Sequence, residues 1–220
     1  FADTVDFDLS HAHAGDADIL TARGENDAFV AKYAPDDSLL WVQRMGGDVF
    51  ATNTIADVGK SIAVDGIGNV YVAGDFRGSA EFGSTILASS GARDRFVAKF
   101  NSAGTFVWAK QLNDGGLSLG VDIDANGNVY TLGRRGTTSY AVTKFTATGQ
   151  SAWTNAIVTN QSYSDGDLAV NAAGNVYVVG EFSGTVEFDP SAKKYNISAG
   201  QAAFVWKVDT NGKFGWASTF

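Results

Sequence analysis

The feature that most constrains the fold is a hairpin pattern that occurs four times within 220 residues. In every copy a Lys precedes a Trp by nine residues, and a short polar segment separates two apolar runs. The copies cover residues 29–41, 96–108, 141–153 and 204–216. A constant spacing of this kind is typical of a stacked repeat, because each Trp must then lie at the same depth of its own unit.

Each copy predicts a β-hairpin. In the copy over residues 96–108, the apolar runs are rich in Phe and Val, which favour strands. Asn101 can bond to nearby backbone and Gly104 can take a positive φ without steric cost, so the segment between the runs has turn chemistry. Asp209 and Gly212 repeat this chemistry in the last copy.

A second pattern precedes three of the hairpins, over residues 61–76, 121–133 and 167–182. Each stretch reads as two short apolar strands joined by a turn that contains Gly-Asn. One unit therefore has two strands joined by a turn, then a longer connection that we call the excursion, then two more strands joined by a turn. Together the four strands form an antiparallel meander. Units of about 45 to 65 residues with four short strands are typical of β-propeller blades. We therefore predict an all-β β-propeller fold.

The repeats divide the chain into one array over residues 1–220. We predict a half blade at 1–45, a blade at 57–112, a short blade at 117–158 and a blade at 165–220, with 14 strands in all. In the short blade only 16 residues separate Asn128 from Lys144, which predicts a tight turn near residues 134–138. Residues 1–9 align with residues 182–190, so the chain begins within a repeat. We expect it to be part of a larger propeller.

The segments SIAVDGIGNVYVAGDF (residues 61–76) and DRFVAKFNSAGTFVWAKQL (residues 94–112) are similar to the bacterial SBBP β-propeller repeat. The resemblance covers nearly the whole chain and is weaker in the short blade. It implies a secreted or cell-surface bacterial protein, usually one part of a larger multidomain chain. It implies no catalytic residue, because the motif of the family is structural.

Composition narrows the functional classes. The formal net charge of -8 argues against nucleic acid and anionic membrane as partners, since phosphate binding depends on clustered Lys and Arg. The absence of Cys removes disulfides and thiolate chemistry. No apolar run approaches the roughly 20 residues of a membrane helix, so we expect no membrane insertion.

Two sets of residues have spacings that can suit a metal ion. His11 and His13 lie two residues apart among acidic residues, and both rings would point to one side of an extended segment. No third ligand has a diagnostic spacing, so a solvated loop is the favoured interpretation. Residues 122–127 match the opening of a calcium loop, but the bidentate Glu of an EF-hand is replaced by Gly133. An ordinary hairpin turn is favoured there.

Catalytic patterns are sparse. No nucleophile elbow, phosphate-binding loop or dinucleotide fingerprint is present. The carboxylates of Asp57, Asp122, Asp165 and Asp167 lie near inner strands, and one interpretation is that they line a central channel and act as acid and base. Turn caps and solvated channel mouths are the favoured interpretation. We therefore predict no catalytic residue, no cofactor and no metal site.

The repeated Lys and Trp residues are interpreted as structural, with the Trp rings packing one blade on the next and the Lys amines reaching water. Trp206 differs, because the other units have Ala or Thr at its place. We predict that Trp206 lies at the open face of the last blade or in an intermolecular contact. Two sequons, at Asn160 and Asn196, fit an exposed secreted surface.

The function that these patterns favour is a non-enzymatic scaffold or protein-interaction module, secreted or on the cell surface. The expected partner is another protein, or the remainder of a longer chain that completes the propeller, with a homo-oligomer as a further option. Two alternatives stay open: a carbohydrate-binding propeller, and a hydrolase or lyase centred on the channel. Fold alone does not decide between them.

Overall fold

The computed structural model describes residues 1–8, 18–47, 57–90, 93–136, 138–159, 165–189, 191 and 193–220. Within these ranges every regular element is a β-strand, which confirms the predicted all-β class. No helix with the length and hydropathy of a membrane span occurs among them. The strands are β1 (Thr4–Asp6), β2 (Ile19–Thr21), β3 (Ala28–Tyr33), β4 (Leu39–Gly46), β5 (Val58–Val64), β6 (Val70–Phe76), β7 (Ser79–Phe82), β8 (Thr85–Ala88), β9 (Asp94–Phe100), β10 (Phe106–Leu112), β11 (Leu117–Ile123), β12 (Val129–Arg135), β13 (Ser139–Phe145), β14 (Ser151–Val158), β15 (Gly166–Val170), β16 (Val176–Glu187), β17 (Asn196–Val208) and β18 (Phe214–Thr219).

Three four-stranded sheets have the predicted meander. The second sheet has the order β10-β9-β6-β5, the third β11-β12-β13-β14 and the fourth β15-β16-β17-β18. In the second sheet β9 pairs with β6 and β10 in antiparallel fashion, and all strand pairs of the third and fourth sheets are antiparallel. The inner strand β6 is buried at every position, as its almost wholly apolar sequence predicts for a strand covered on both faces. Sheets of this kind are those of propeller blades.

The first sheet has a pairing that the sequence analysis does not predict. The β3–β4 hairpin is joined by β7 and β8, which belong to the excursion of the following repeat, in the order β3-β4-β7-β8. Met45 pairs with Phe82 and Gly46 with Glu81. The chain can leave β6 for another sheet because Gly78, at φ 70°, makes a bend that other residues disfavour. Whether another segment adds to the β3 edge stays a prediction.

The excursions explain why the described residues contain 18 strands rather than the predicted 14. The four additional strands are two short hairpins, β1–β2 and β7–β8. In the fourth sheet the same segment does not form a separate hairpin, because β16 and β17 continue through it with one register shift between Phe182 and Gly184. The short third sheet lacks the excursion, and its β12–β13 pairing ends at Arg135 with Ser139, as the predicted tight turn requires.

Each excursion is anchored by three Phe rings in mutual contact. Phe182, Phe188 and Phe204 meet in this way with centroids 5.2–6.2 Å apart. The same trio recurs at Phe76, Phe82 and Phe96, and again at Phe1, Phe7 and Phe29. This repetition supports the alignment of residue 1 with residues 76 and 182.

The described residues form two compact units. The first contains Phe1–Lys60 and Gly66–Gly115, and the second contains Ser61–Asp65 and Gly116–Phe220. Each unit has its own apolar core, one around Phe76, Phe82 and Phe96 and the other between the third and fourth sheets. Burial of these large rings is the main stabilising contribution to each unit.

The prediction for Trp206 is wrong. Its side chain is 0% exposed and belongs to the core between the third and fourth sheets, together with Tyr140 and Val142. The physical reason is the alternation of β17, which directs Phe204, Trp206 and Val208 to the covered face of the fourth sheet. A large residue at this place fills the core of the second unit.

Candidate functional site

The recurrent structure around the repeated Lys and Trp is a row of three side chains on neighbouring strands. In the third sheet Tyr130 pairs with Lys144, and Lys144 pairs with Trp153. The Lys144 amine lies 5.1 Å from the centroid of the Tyr130 ring, and the Tyr130 and Trp153 rings are 6.1 Å apart. A cation held over one ring and flanked by a second is favoured electrostatically. We call this arrangement the Tyr–Lys–Trp row.

The second and fourth sheets contain the same row. In the second sheet it consists of Tyr71, Lys99 and Trp108, with the amine 5.0 Å from the Tyr ring and the two rings 6.4 Å apart. The fourth sheet has Tyr177, Lys207 and Trp216, with corresponding distances of 5.7 and 6.4 Å. The first sheet contributes the Lys32 and Trp41 pair.

The row of the third sheet holds a turn of the fourth sheet. The Lys144 amine and the Trp153 indole N–H both donate to the carbonyl oxygen of Thr210, at 3.0 and 3.1 Å. Asn155 adds a hydrogen bond to the carbonyl of Gly212 at 2.7 Å. Gly212 lies against the indole ring, since a Cβ added to it would come within 2.9 Å of Trp153. Two donors therefore share one acceptor, with a glycine beneath the ring.

The pair in the first sheet holds a turn of the second sheet in the same way. Lys32 and Trp41 both donate to the carbonyl of Ser102, each at 3.2 Å. A Cβ on Gly104 would lie 2.5 Å from the Trp41 ring. Because the contact occurs twice with the same chemistry, at Ser102 and at Thr210, it is a regular feature of the repeat.

The turns that are held have a fixed form. The Asn101 carboxamide oxygen accepts from the N–H groups of Ala103 and Thr105, and Gly104 donates to the Asn101 carbonyl. These bonds close a turn that leaves the Ser102 carbonyl pointing outward as an acceptor. Gly104 has φ 80°, a conformation that favours glycine. Asp209 closes the last turn by the same bonds, to Asn211 and Lys213.

The row of the fourth sheet is open. Trp216 is 42% exposed and Val179, in the next row of the same face, is 45% exposed. The corresponding face of the third sheet is covered, with Tyr130, Leu132 and Val142 each 0% exposed. Within the described part of the chain, no acceptor lies within hydrogen-bond distance of the Lys207 amine or the Trp216 indole N–H. The fourth sheet thus presents a complete row without a turn.

The repeated spacing marks the Lys and Trp residues but not their partners. The amines were expected to reach water, whereas Lys32 and Lys144 donate to a backbone carbonyl. The Tyr of each row was not predicted, although the sequence contains a signal for it. That Tyr ends the sequence Gly-Asn-Val-Tyr in all three complete repeats, at Tyr71, Tyr130 and Tyr177.

Asp57 is the most perturbed acidic group among the described residues. Its carboxylate is 3% exposed and accepts hydrogen bonds from the backbone N–H of Gly47 and Arg77, each at 3.1 Å. Burial raises the pKa of Asp57 to about 6, with the nearby Asp27 charge adding to the shift, while the two hydrogen bonds and Arg93 oppose it. Asp57 ties the ends of β4 and β6 together. It is not open to a substrate.

The other candidate carboxylates also bind backbone or face water. Asp122 accepts from its own neighbour and from the Val170 N–H at 2.6 Å, while Asp165 and Asp167 are exposed. Asp57 belongs to the first unit and these three to the second. The carboxylates of Asp57, Asp122 and Asp167 accept hydrogen bonds from backbone N–H groups instead of forming an acid–base pair.

The sequence that resembles a calcium loop forms the turn between β11 and β12. Asp124 accepts from the backbone of Asn126 and Asn128, from the Asn128 amide and from the Tyr130 hydroxyl, at 2.8–3.0 Å. Burial raises the pKa of Asp124, but these hydrogen bonds outweigh it, so the net pKa is lowered. The side chain thus closes a hairpin turn, as the favoured interpretation predicts.

The remaining candidate sites for a metal ion or a glycan are His11, His13 and the sequons at Asn160 and Asn196. His11, His13 and the sequon at Asn160 lie outside the described residues. Within the described residues no group of three or more His, Cys, Asp or Glu side chains is placed to hold a metal ion. Asn196 is exposed at the start of β17.

Comparison with known proteins supports a propeller repeat. The chain is 28% identical over 183 residues to an uncharacterized WD repeat-containing protein of Acanthamoeba polyphaga mimivirus, covering 71% of this chain. It spans only 12% of the length of that relative. No family model matches the chain. A crystal structure of a protein of unknown function from Bacteroides caccae aligns with a TM-score of 0.41 and 10% identity, covering 84% of this chain and 73% of that one. With its four-stranded antiparallel sheets, the chain is an all-β repeat protein of the propeller type.

Proposed function

We propose that this chain is a non-enzymatic protein-interaction module, built from SBBP-type propeller repeats and exposed on a bacterial surface or secreted. The observation that carries the proposal is the open row of Tyr177, Lys207 and Trp216. It has the geometry of the engaged rows but exposes apolar and donor groups on one sheet face. Such a face is typical of a surface that binds another protein.

The acid–base groups support a non-enzymatic role. A raised pKa such as that of Asp57 is common at catalytic sites. Asp57 is buried, however, and both of its oxygens are occupied by backbone N–H donors. A general acid or base must reach its substrate within hydrogen-bond distance. The perturbed carboxyl is therefore better explained as a link between strands.

The proposed extracellular location rests on other observations than the open row. The resemblance to surface-protein repeats, the acidic net charge of -8 and the exposed Asn196 sequon agree with an extracellular environment. The relative with WD repeats agrees with a repeat scaffold, a class that commonly uses extended surfaces to bind other proteins. None of these features requires a metal or cofactor.

The proposal is tested by photo-cross-linking of the protein in the cells that produce it. A photoreactive amino acid replaces Ser218, which lies exposed beside the open row, and in a control chain it replaces Ile86, which is 65% exposed in the first unit. We expect a polypeptide cross-link at position 218 that is lost when Trp216→Ala and Lys207→Met are added. Equal cross-linking at both positions would contradict the proposal. A glycan adduct at 218 would favour the carbohydrate-binding alternative instead.

A further inference from the structure

The two engaged contacts define what the open row can bind. In each, the Lys amine and the indole N–H converge on one carbonyl, that of Ser102 or Thr210. In each, the residue two positions later is a glycine with φ near 80°, packed beneath the indole ring. The bound object is therefore a short turn with an outward carbonyl at its second position and glycine at its fourth.

The glycine is required for two separate reasons. Its positive φ is a conformation that side chains disfavour. In addition, a Cβ at Gly104 or Gly212 would come within 2.5 or 2.9 Å of the indole, which is closer than real Cβ contacts. Any other residue at the fourth position would have to displace the ring from its carbonyl acceptor.

The first turn of this chain has the right shape but the wrong fourth residue. Asp37 donates to the Ala34 carbonyl at 3.0 Å, as Gly104 and Gly212 do in their own turns. Its φ is 65°, so the backbone follows the same path. Asp37 carries a Cβ and a carboxylate, however, at the place where the engaged turns have only hydrogen. This turn is therefore unsuited to pack beneath an indole.

The open row preserves the donor geometry of the engaged rows. Lys207 pairs directly with Trp216 across the strands, as Lys144 does with Trp153. The Lys207 amine is also kept near its Tyr ring, at 5.7 Å against 5.1 Å in the third sheet. Little rearrangement is then needed for binding, which lowers its entropic cost.

We infer that the row of Tyr177, Lys207 and Trp216 docks a β-turn with glycine at its fourth position, presented by another propeller repeat, and rejects the Asp37 turn of a second copy. This inference deepens the proposed function and rests on it. It requires that the partner present a turn with an outward carbonyl acceptor at its second position and glycine at its fourth. It also excludes head-to-tail pairing of two copies through their first turns.

The test appends a glycine turn to the intact chain. A copy of residues 100–107, which contain the Asn101–Gly104 turn and no Trp, is joined after Phe220 by a flexible Gly/Ser linker. A Cys at each end takes the places of Lys99 and Trp108, which pair across the strands, and closes the hairpin. This disulfide is unique because the chain has no Cys. A short linker gives an effective concentration in the millimolar range, on the order of 1 mM, so a weak contact becomes measurable. Matched chains carry Gly→Ala or Gly→Asp at the fourth turn position.

The readout is the indole N–H resonance of Trp216 in ¹⁵N NMR spectra, assigned with Trp216→Phe. We expect the glycine hairpin to shift this resonance and the Ala and Asp hairpins to reduce the docked population at least about tenfold. No shift with the glycine hairpin, or equal shifts with all three, would overturn the inference. Because the cross-linking test does not depend on the appended turn, cross-linking without docking would leave the interaction role intact and refute only the glycine-turn partner.

Discussion

The third and fourth sheets carry the same Tyr–Lys–Trp row on corresponding strands, yet only one row is occupied. Trp153 and Lys144 share the Thr210 carbonyl, whereas Trp216 is 42% exposed. Their intrasheet geometry is nearly identical, with Tyr–Trp ring separations of 6.1 and 6.4 Å. The comparison shows that a sheet builds its donors by itself, whereas the acceptor of an occupied row comes from a turn of another sheet.

The two rows are expected to differ most in how much each Trp ring contributes to the free energy of unfolding. Trp153→Ala removes a ring that packs on Gly212 and Tyr130, and we expect it to lower the free energy of unfolding by about 3 kcal/mol. The matched Trp216→Ala should cost less than about 1 kcal/mol, because the residue is 42% exposed and its indole N–H has no acceptor among the described residues. Urea-induced unfolding of both variants measures this. Equal costs would break the comparison.

The pH dependence of the unfolding free energy distinguishes the buried Asp57 carboxyl from the Tyr–Lys–Trp rows. Because the pKa of Asp57 is raised from 3.8 to about 6, its contribution to stability is full below about pH 4 and is lost as the pH rises through 6. We expect the unfolding free energy of the wild type, relative to Asp57→Asn, to fall by up to about 3 kcal/mol between pH 4 and 7.

The control for this pH series is Trp153→Ala. This substitution removes no titratable group, so its difference from the wild type should stay constant. A constant difference for Asp57→Asn would show that the carboxyl is not buried in the folded state. A pH-dependent difference for Trp153→Ala would show that the row is coupled to a titrating group.

Gly212 tests the acceptor side of the occupied row. Gly212→Ala introduces a Cβ at positive φ, within 2.9 Å of Trp153, and we expect a loss of about 2 kcal/mol from strain and displaced packing. Gly200→Ala is the matched control in the same unit, because no atom lies within 4 Å of its added Cβ. Thermal unfolding of both chains provides the measurement. A Gly212 variant as stable as the Gly200 variant would contradict the packing of the turn beneath the indole.

The smallest difference is expected for the amines. Lys144→Met keeps the aliphatic stem but removes two hydrogen bonds to Thr210, which should cost about 1 kcal/mol. Lys207→Met should change stability by less than about 0.5 kcal/mol, because its amine has no acceptor among the described residues. Chemical unfolding at low ionic strength makes the difference measurable. A larger loss for Lys207→Met would reverse the order of the two rows.

Sequence alone predicts the local part of this account well. The hairpins, the meander of the second to fourth sheets and the tight turn after Arg135 depend on turn residues and strand periodicity, which are local properties. The constant spacing of Lys and Trp also predicts that each Trp lies at the same depth of its own unit. The Tyr of each row was predictable in principle from the repeated Gly-Asn-Val-Tyr.

Non-local features were not predictable in this way. The pairing of β4 with β7 joins segments from different repeats, and it depends on which sheet the excursion meets. The position of Trp206 depends on which face of β17 is covered, and residue size does not reveal that. The carbonyl acceptors at Ser102 and Thr210 are backbone atoms, so no residue type marks them.

Hydrogen exchange of the indole N–H groups tests the central claim most directly. Trp41 and Trp153 donate to carbonyls at 3.2 and 3.1 Å, so we expect their indole N–H exchange to be at least about tenfold slower than that of Trp216. Single Trp→Phe variants assign the resonances. The account predicts slow exchange at Trp41 and Trp153 with fast exchange at Trp216. Equal rates at Trp153 and Trp216 would contradict it.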